Sequence, residues 1–270
     1  MLPTIRLGEH EVTRLIVGGN PFSGNSHIDA ALDEEMRDFF TTETIKNTLR
    51  HCEECGINTC QLRADRHIMR ILREYRQQGG KLQWIAQTAP EFASFESNVN
   101  QIVQMGAIAI YFHGSTVDKL FRAGNYAEIE RCLKILRDTG KVVGLATHMP
   151  EVIRYSEEHG WDVDFYMACV YNISKVERDV PYGREPFFES DIPLMYEAIR
   201  STPKPCLAFK ILGASRRCAT QETVKAAFEE AYREIKPIDG VIVGVYPKNL
   251  DQVALNCSYA EEGIRKAAQK

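Results

Sequence analysis

Short apolar runs alternate along this chain with longer segments whose apolar residues recur at helical spacing. The runs lie at residues 15–17, 57–62, 82–86, 107–112, 142–146, 163–170, 206–211 and 240–245. Each is continuous instead of alternating, the pattern of a strand buried on both faces in a parallel sheet. Helical segments follow at 43–55, 65–78, 95–105, 126–138, 150–159, 194–200, 220–235 and 249–259. Thr41 or Thr42 is placed to cap the first helix, and Gly56, Gly79, Gly106 and Gly140 stop helices just before the next strand. Eight strand–helix units without a break in composition predict one domain over residues 1–270, a (β/α)8 TIM barrel of the α/β class. An open doubly wound sheet would carry a glycine-rich turn running straight into a helix after its first strand. Here Gly18-Gly19-Asn20-Pro21 opens a polar loop instead.

Two features depart from this rhythm. Residues 4–7 and 12–14 flank Gly8-Glu9-His10 and predict an N-terminal β-hairpin that plugs the bottom of the barrel. The connections 21–42 and 174–193 follow strands one and six and are long enough to serve as lids over the active-site face.

Composition narrows the partners. The chain has 270 residues and a net charge of −4, which gives no basic face for nucleic acid. No apolar run reaches the roughly 20 residues of a membrane span, and the first residues carry no apolar signal region. The expected setting is the cytoplasm, with a small-molecule substrate as partner. The sequence is compatible with a homo-oligomer. Eight cysteines then read as reduced thiols. Cys52 and Cys55 form a lone CxxC, whose simplest place is a buried helix face.

In a barrel of this kind the polar residues at strand C-termini converge on one mouth. They are Asn20, Gln61, Arg63, Gln87, His113, His148, Tyr171, Asn172 and Lys210. Such groups are costly to bury without partners, so a ligand site is the economical reading. His113 and His148 end neighbouring strands and suit acid–base work. With His27 from the first long loop they would make three nitrogen ligands for a divalent metal. Lys210, among apolar neighbours, suits a base or Schiff-base nucleophile, with an ion pair as the structural alternative. Arg63 suits a carboxylate or phosphate clamp, or an ion pair with a nearby acid. Gly213, Ser215, Arg216 and Arg217, and then Lys248 and Asn249 before a helix, are candidates for phosphate capture.

The order of these landmarks resembles the aldo-keto reductase family over most of the chain. The residues that carry the likeness are the hairpin with Leu15-Ile16-Val17-Gly18-Gly19, Gly56-Ile57-Asn58, Ala109-Ile110-Tyr111-Phe112-His113 and Gly140-Lys141-Val142-Val143-Gly144-Leu145. To these add Tyr171-Asn172, Leu212-Gly213, and Ile242-Val243-Gly244-Val245 with Asn249, Gln252-Val253 and Asn256. The resemblance implies a barrel oxidoreductase that uses NADP(H). Phe209 would stack on the nicotinamide, and Gly244, Lys248, Gln252 and Asn256 would hold the nucleotide. Of the family's catalytic tyrosine, lysine, aspartate and histidine, only the histidine survives, as His113. Gln61 stands at the aspartate position, Asp65 or Arg66 near the tyrosine, and about Ala89 at the lysine. Thr147-His148 replaces the pair that binds the nicotinamide amide.

Three functions follow. The first is an oxidoreductase on a small carbonyl or sugar-like substrate, with His113 and His148 handling the proton and Gln61 and Arg63 placing the substrate. The second is a metal- or lysine-dependent lyase, isomerase or hydrolase. The third is a non-catalytic small-molecule binder.

Overall fold

The computed structural model describes residues 2–174 and 185–269. The chain opens with a hairpin, β1 (Thr4–Leu7) and β2 (His10–Thr13), paired antiparallel with Leu7 opposite His10. Gly8 turns the hairpin at φ +61°, a conformation that suits glycine. Ile5, Leu7 and Val12 are buried with Ile16, Ile85, Phe165 and Leu207. The hairpin therefore seals the barrel interior at the end opposite the polar mouth, as its sequence predicts. Each such apolar side chain is worth about 1.5–3 kcal/mol when fully buried.

Eight parallel strands then close into a barrel. They are β3 (Leu15–Gly18), β4 (Thr59–Arg63), β5 (Gln83–Gln87), β6 (Ala109–Phe112), β7 (Val142–Thr147), β8 (Phe165–Cys169), β9 (Cys206–Phe209) and β10 (Gly240–Gly244). Closure is made by β10 against β3, with Val241 beside Leu15 and Gly244 beside Gly18. Alternation sorts the strand residues. Ala109, Tyr111, Ala146, Met167 and Ile242 pack in the interior cluster, while Ile110, Phe112, Leu145, Ala168 and Val243 belong to the shell under the helices. The two clusters account for the continuous apolar runs of the sequence.

The helices around the barrel are α1 (Ala30–Phe39), α2 (Thr42–Glu54), α3 (Arg66–Gln77), α4 (Phe95–Gln104), α5 (Gly114–Arg122), α6 (Tyr126–Arg137), α7 (Pro150–Glu158), α8 (Ile192–Ser201), α9 (Gln221–Glu234) and α10 (Gln252–Ala267). Two of them were not expected. The long connection 21–42 folds into α1, capped by Asp29, which accepts from Leu32 N, and anchored by buried Met36. The residues after β6 form α5, with Val117 and Asp118 buried. Val117, Leu120 and Phe121 of α5 stand at helical spacing but in a run of only nine residues, and α1 sets Leu32, Met36 and Phe39 among acidic residues. The last helix also runs on to Ala267, well past the expected residue 259. Of the second long connection, residues 175–184 lie outside the described residues, and the lid reading falls largely on them. All eight cysteines are free thiols; Cys52 of α2 is buried on its helix face as expected, whereas Cys55 caps the C-terminus of that helix and is half-buried. No helix among the described residues is long and apolar enough to cross a membrane.

Candidate active site at the barrel mouth

The strand parity that fills the interior also aims the next inward residues at the C-terminal mouth. There they enclose a cavity of about 490 Å³ lined by Gln61, Arg63, Gln87, His113, His148 and Lys210, with Tyr111, Phe209 and Met167 among its further walls. All five sequence candidates for catalysis therefore meet in one space. A second cavity of about 290 Å³ runs beside it along the ends of β3, β9 and β10. Its walls include Phe209, Gly244, Gln252 and Asn256, and it shares Asn20, His27, Gln61, Phe209 and Lys210 with the first. The two spaces are thus adjoining compartments of one mouth.

His148 is the most constrained of the polar residues. It is buried just past the end of β7, and its Nδ1 lies 2.7 Å from Asp118 Oδ2. Asp118 is wholly buried on α5 and also accepts from Thr147 Oγ1 at 2.6 Å and Ser174 Oγ at 3.1 Å. A carboxylate so placed accepts a hydrogen bond from Nδ1–H and leaves Nε2 as the ring's acceptor, the arrangement of a general base with its orienting carboxylate. The Phe209 ring stands edge-on to the imidazole at 5.7 Å. Asp118 was not foreseen from the sequence.

His113 caps the start of α5, with Nδ1 3.1 Å from Thr116 Oγ1. Burial, then Arg63 and His148, lower its pKa to about 4. It is a neutral imidazole at neutral pH and serves as a hydrogen-bond partner instead of a charge. Gln61 Nε2 donates to the Tyr111 hydroxyl at 2.6 Å. Arg63 pairs with Glu91, the nearby acid, and not with Asp65, which caps α3.

Lys210 takes the alternative that its sequence context left open. Its Nζ lies 2.5 Å from Glu185, whose other contacts are His27 Nδ1 at 2.7 Å and the Tyr171 hydroxyl at 3.0 Å. Burial alone would raise the Glu185 carboxyl, but His27 and Lys210 outweigh it and hold the group well below the usual carboxylate range. In this structure the amine is engaged by Glu185 and not free, which favours the ion-pair alternative over the Schiff-base one. Lys210 and His27 both sit at φ +62°, strained for residues with a Cβ, as is common where function fixes the backbone.

The metal expectation gains no ligand set. His27, His113 and His148 line one cavity, but among the described residues no three His, Cys, Asp or Glu side chains gather to hold an ion. His27 is turned to Glu185 and Asn20, and His148 to Asp118. The phosphate candidates also change. Arg216 donates to the carbonyls of Gly213, His27 and Glu185, and Arg217 pairs with Glu230. Lys248 lies outside both cavities and pairs with Glu35 at 3.0 Å.

The groove keeps neutral groups to spare. Asn256 is 6% exposed, lines the groove, and makes no side-chain hydrogen bond among the described residues. Gln252 accepts from Tyr246 N through Oε1, which leaves its amide protons to the groove. These orphaned donors fit a polar ligand lying over Phe209.

A parallel barrel with a histidine-lined mouth is thus the class the geometry defines. No family model matches the chain, and no curated protein sequence matches it either. Solved structures do. A truncated 3-deoxy-D-arabino-heptulosonate 7-phosphate synthase from Thermotoga maritima is 16% identical, with 99% of this chain and 91% of that one covered and a TM-score of 0.55. The aldo-keto reductase AKR11C1 from Bacillus halodurans, in its holo form, is 12% identical over 99% and 96% at a TM-score of 0.58. The Yersinia pestis dihydropteroate synthase is 10% identical over 99% and 100% at 0.62. Likeness at these identities shows the barrel fold, shared by reductases and other enzymes, and singles out no family.

Proposed function

We propose that the protein is an oxidoreductase acting on a small polar carbonyl or hydroxyl compound, with a nicotinamide nucleotide, NADP(H), in the groove beside the histidine cavity. The observation that carries this reading is the adjacency of a cavity holding an oriented His148–Asp118 pair to a groove with unpartnered Asn256 and Gln252 donors. Phe209 forms part of the wall of both. The holo aldo-keto reductase among the fold neighbours agrees with it as an analogy.

Phe209 would face the nicotinamide, and Asn256 and Gln252 would bond the nucleotide. Lys248 would turn from Glu35 to a phosphate, since an exposed ion pair is worth only about 0–1 kcal/mol and yields readily. The bound nucleotide would supply or accept the hydride. The rest of the chemistry falls to the protein. His148 Nε2 takes the proton from a substrate hydroxyl during oxidation and returns it during reduction, while Asp118 stabilises the imidazolium. Neutral His113 hydrogen-bonds the substrate, and Arg63 anchors its far side.

The test is NADPH-dependent reduction of a panel of small aldehydes and hydroxy-ketones. The expected result is turnover that falls about 100-fold or more in His148→Ala. Turnover unaffected by that change, or none with any substrate, would refute the reading.

A further inference from the structure

Tyr111 is a residue of the mouth whose hydrogen bonding is left half-made. It stands on β6 two residues before His113, so both face the interior, with the phenol about one layer deeper. Its hydroxyl reaches across β5 to Gln61 on β4, whose Nε2 donates to it at 2.6 Å. The phenol oxygen is therefore an acceptor in that contact, and its own O–H proton has no acceptor among the described residues. The same ring forms part of the wall of the cavity that holds His148 and Arg63. A buried hydroxyl normally finds a partner for its proton, so a donor left over beside an oriented base is set for a ligand oxygen. Burial also pushes the phenol well above its ordinary pKa, so it keeps that proton at neutral pH.

We propose that Tyr111, positioned by Gln61, is a catalytic residue that donates a hydrogen bond to the substrate oxygen on which negative charge develops. The inference rests on the oxidoreductase reading for the identity of that oxygen, a carbonyl becoming an alkoxide. The proton stays on Tyr111 throughout. The hydroxyl is a fixed dipole and His148 does the proton transfer, so the two residues divide electrostatic stabilisation and acid–base work between them. This Tyr lies on the fourth barrel strand, away from Asp65 and Arg66, where the family resemblance would place a tyrosine acid.

The test uses a probe whose oxygen resembles the developing alkoxide and needs no turnover. The full-length protein is titrated with 4-nitrophenolate, and its absorption shift and affinity are read for the wild type, Tyr111→Phe and Gln61→Glu. The wild type is expected to bind with a shifted spectrum. Tyr111→Phe should weaken binding at least tenfold and abolish the shift. Gln61→Glu should abolish the shift too, because a carboxylate there accepts the Tyr111 proton and captures the donor. Removing one such donor lowers the rate of an enzyme by about 100- to 1,000-fold, and the same loss is expected in the carbonyl reduction assay. Failure of the wild type to bind the phenolate, or equal binding by Tyr111→Phe, overturns the proposal. Thermal melts and NADPH titration of the same variants separate this outcome from misfolding and from failure of the nucleotide assignment.

Discussion

Asp118 on α5 is the residue on which the proposed base depends, and its replacement has two separable consequences. It accepts from Thr147 Oγ1 at 2.6 Å, from His148 Nδ1 at 2.7 Å and from Ser174 Oγ at 3.1 Å. Asp118→Ala strands the Nδ1 and the backbone N–H of His148, which have no other acceptor among the described residues, while Thr147 Oγ1 keeps Met149 O at 3.3 Å. At about 1–3 kcal/mol for each unsatisfied buried donor, the loss should be about 4 kcal/mol. For a chain of this size that is a fall in Tm of roughly 10 °C. Asp118→Asn keeps the shape and one acceptor oxygen, so it should cost only about 1–2 kcal/mol. Its amide, however, donates toward Nδ1, and the imidazole must move its proton to Nε2 to accept. The base would then face the cavity as a donor, and turnover should fall by about 10⁴, as when the orienting Asp of a serine-protease triad is changed to Asn. Urea denaturation measures the stability terms, and ¹⁵N–¹H correlation spectra of the imidazole report the tautomer directly. An Nδ1–H tautomer retained in Asp118→Asn, or a loss under 1 kcal/mol in Asp118→Ala, would refute the reasoning.

Three further outcomes follow from the same geometry. His113 binds its proton near pH 4 in the folded protein and near 6.5 when unfolded, so the unfolded state holds more protons between those values. Stability should fall as pH drops through that window, and His113→Gln should remove up to about 3 kcal/mol of the fall, read from urea midpoints at pH 7 and pH 4.5. Lys210→Met takes the ammonium from Glu185, which keeps His27 Nδ1 and the Tyr171 hydroxyl, and should cost about 1–3 kcal/mol. The double change Lys210→Met with Glu185→Leu should recover none of that, since it leaves the buried Tyr171 hydroxyl without its acceptor, and a double-mutant cycle in urea decides it. Asn256→Leu removes an amide that bonds no other described residue and faces the groove, so it should change stability by less than about 0.5 kcal/mol, read by thermal melt.

The barrel was legible because each strand is buried on both faces and reads as an unbroken apolar run, as at residues 142–146 and 206–211. The convergence of Gln61, Arg63, His113, His148 and Lys210 followed from the same fact, because the residue that ends an apolar run must lie at the mouth. What escaped was pairing between elements. Asp118 is separated by 30 positions from its partner His148, and only its place beside Val117 on a short apolar stripe hints at burial. Glu185 is invisible as the partner of Lys210 because a long connection carries it there. Tyr111 could have been read from parity, since Ala109, Tyr111 and His113 alternate with Ile110 and Phe112. It was hidden because an aromatic residue in a buried strand reads first as core.

The nicotinamide nucleotide proposed for the groove beside the histidine cavity is open to a direct test. The most direct measurement is a titration of the purified protein with NADPH, followed by nucleotide fluorescence, for the wild type and Asn256→Leu side by side. A Kd of roughly 1–100 µM is expected for the wild type, within the usual range of working affinities, with at least tenfold weaker binding when Asn256 is replaced. No binding by the wild type at millimolar NADPH, or equal binding by the variant, would contradict the proposal.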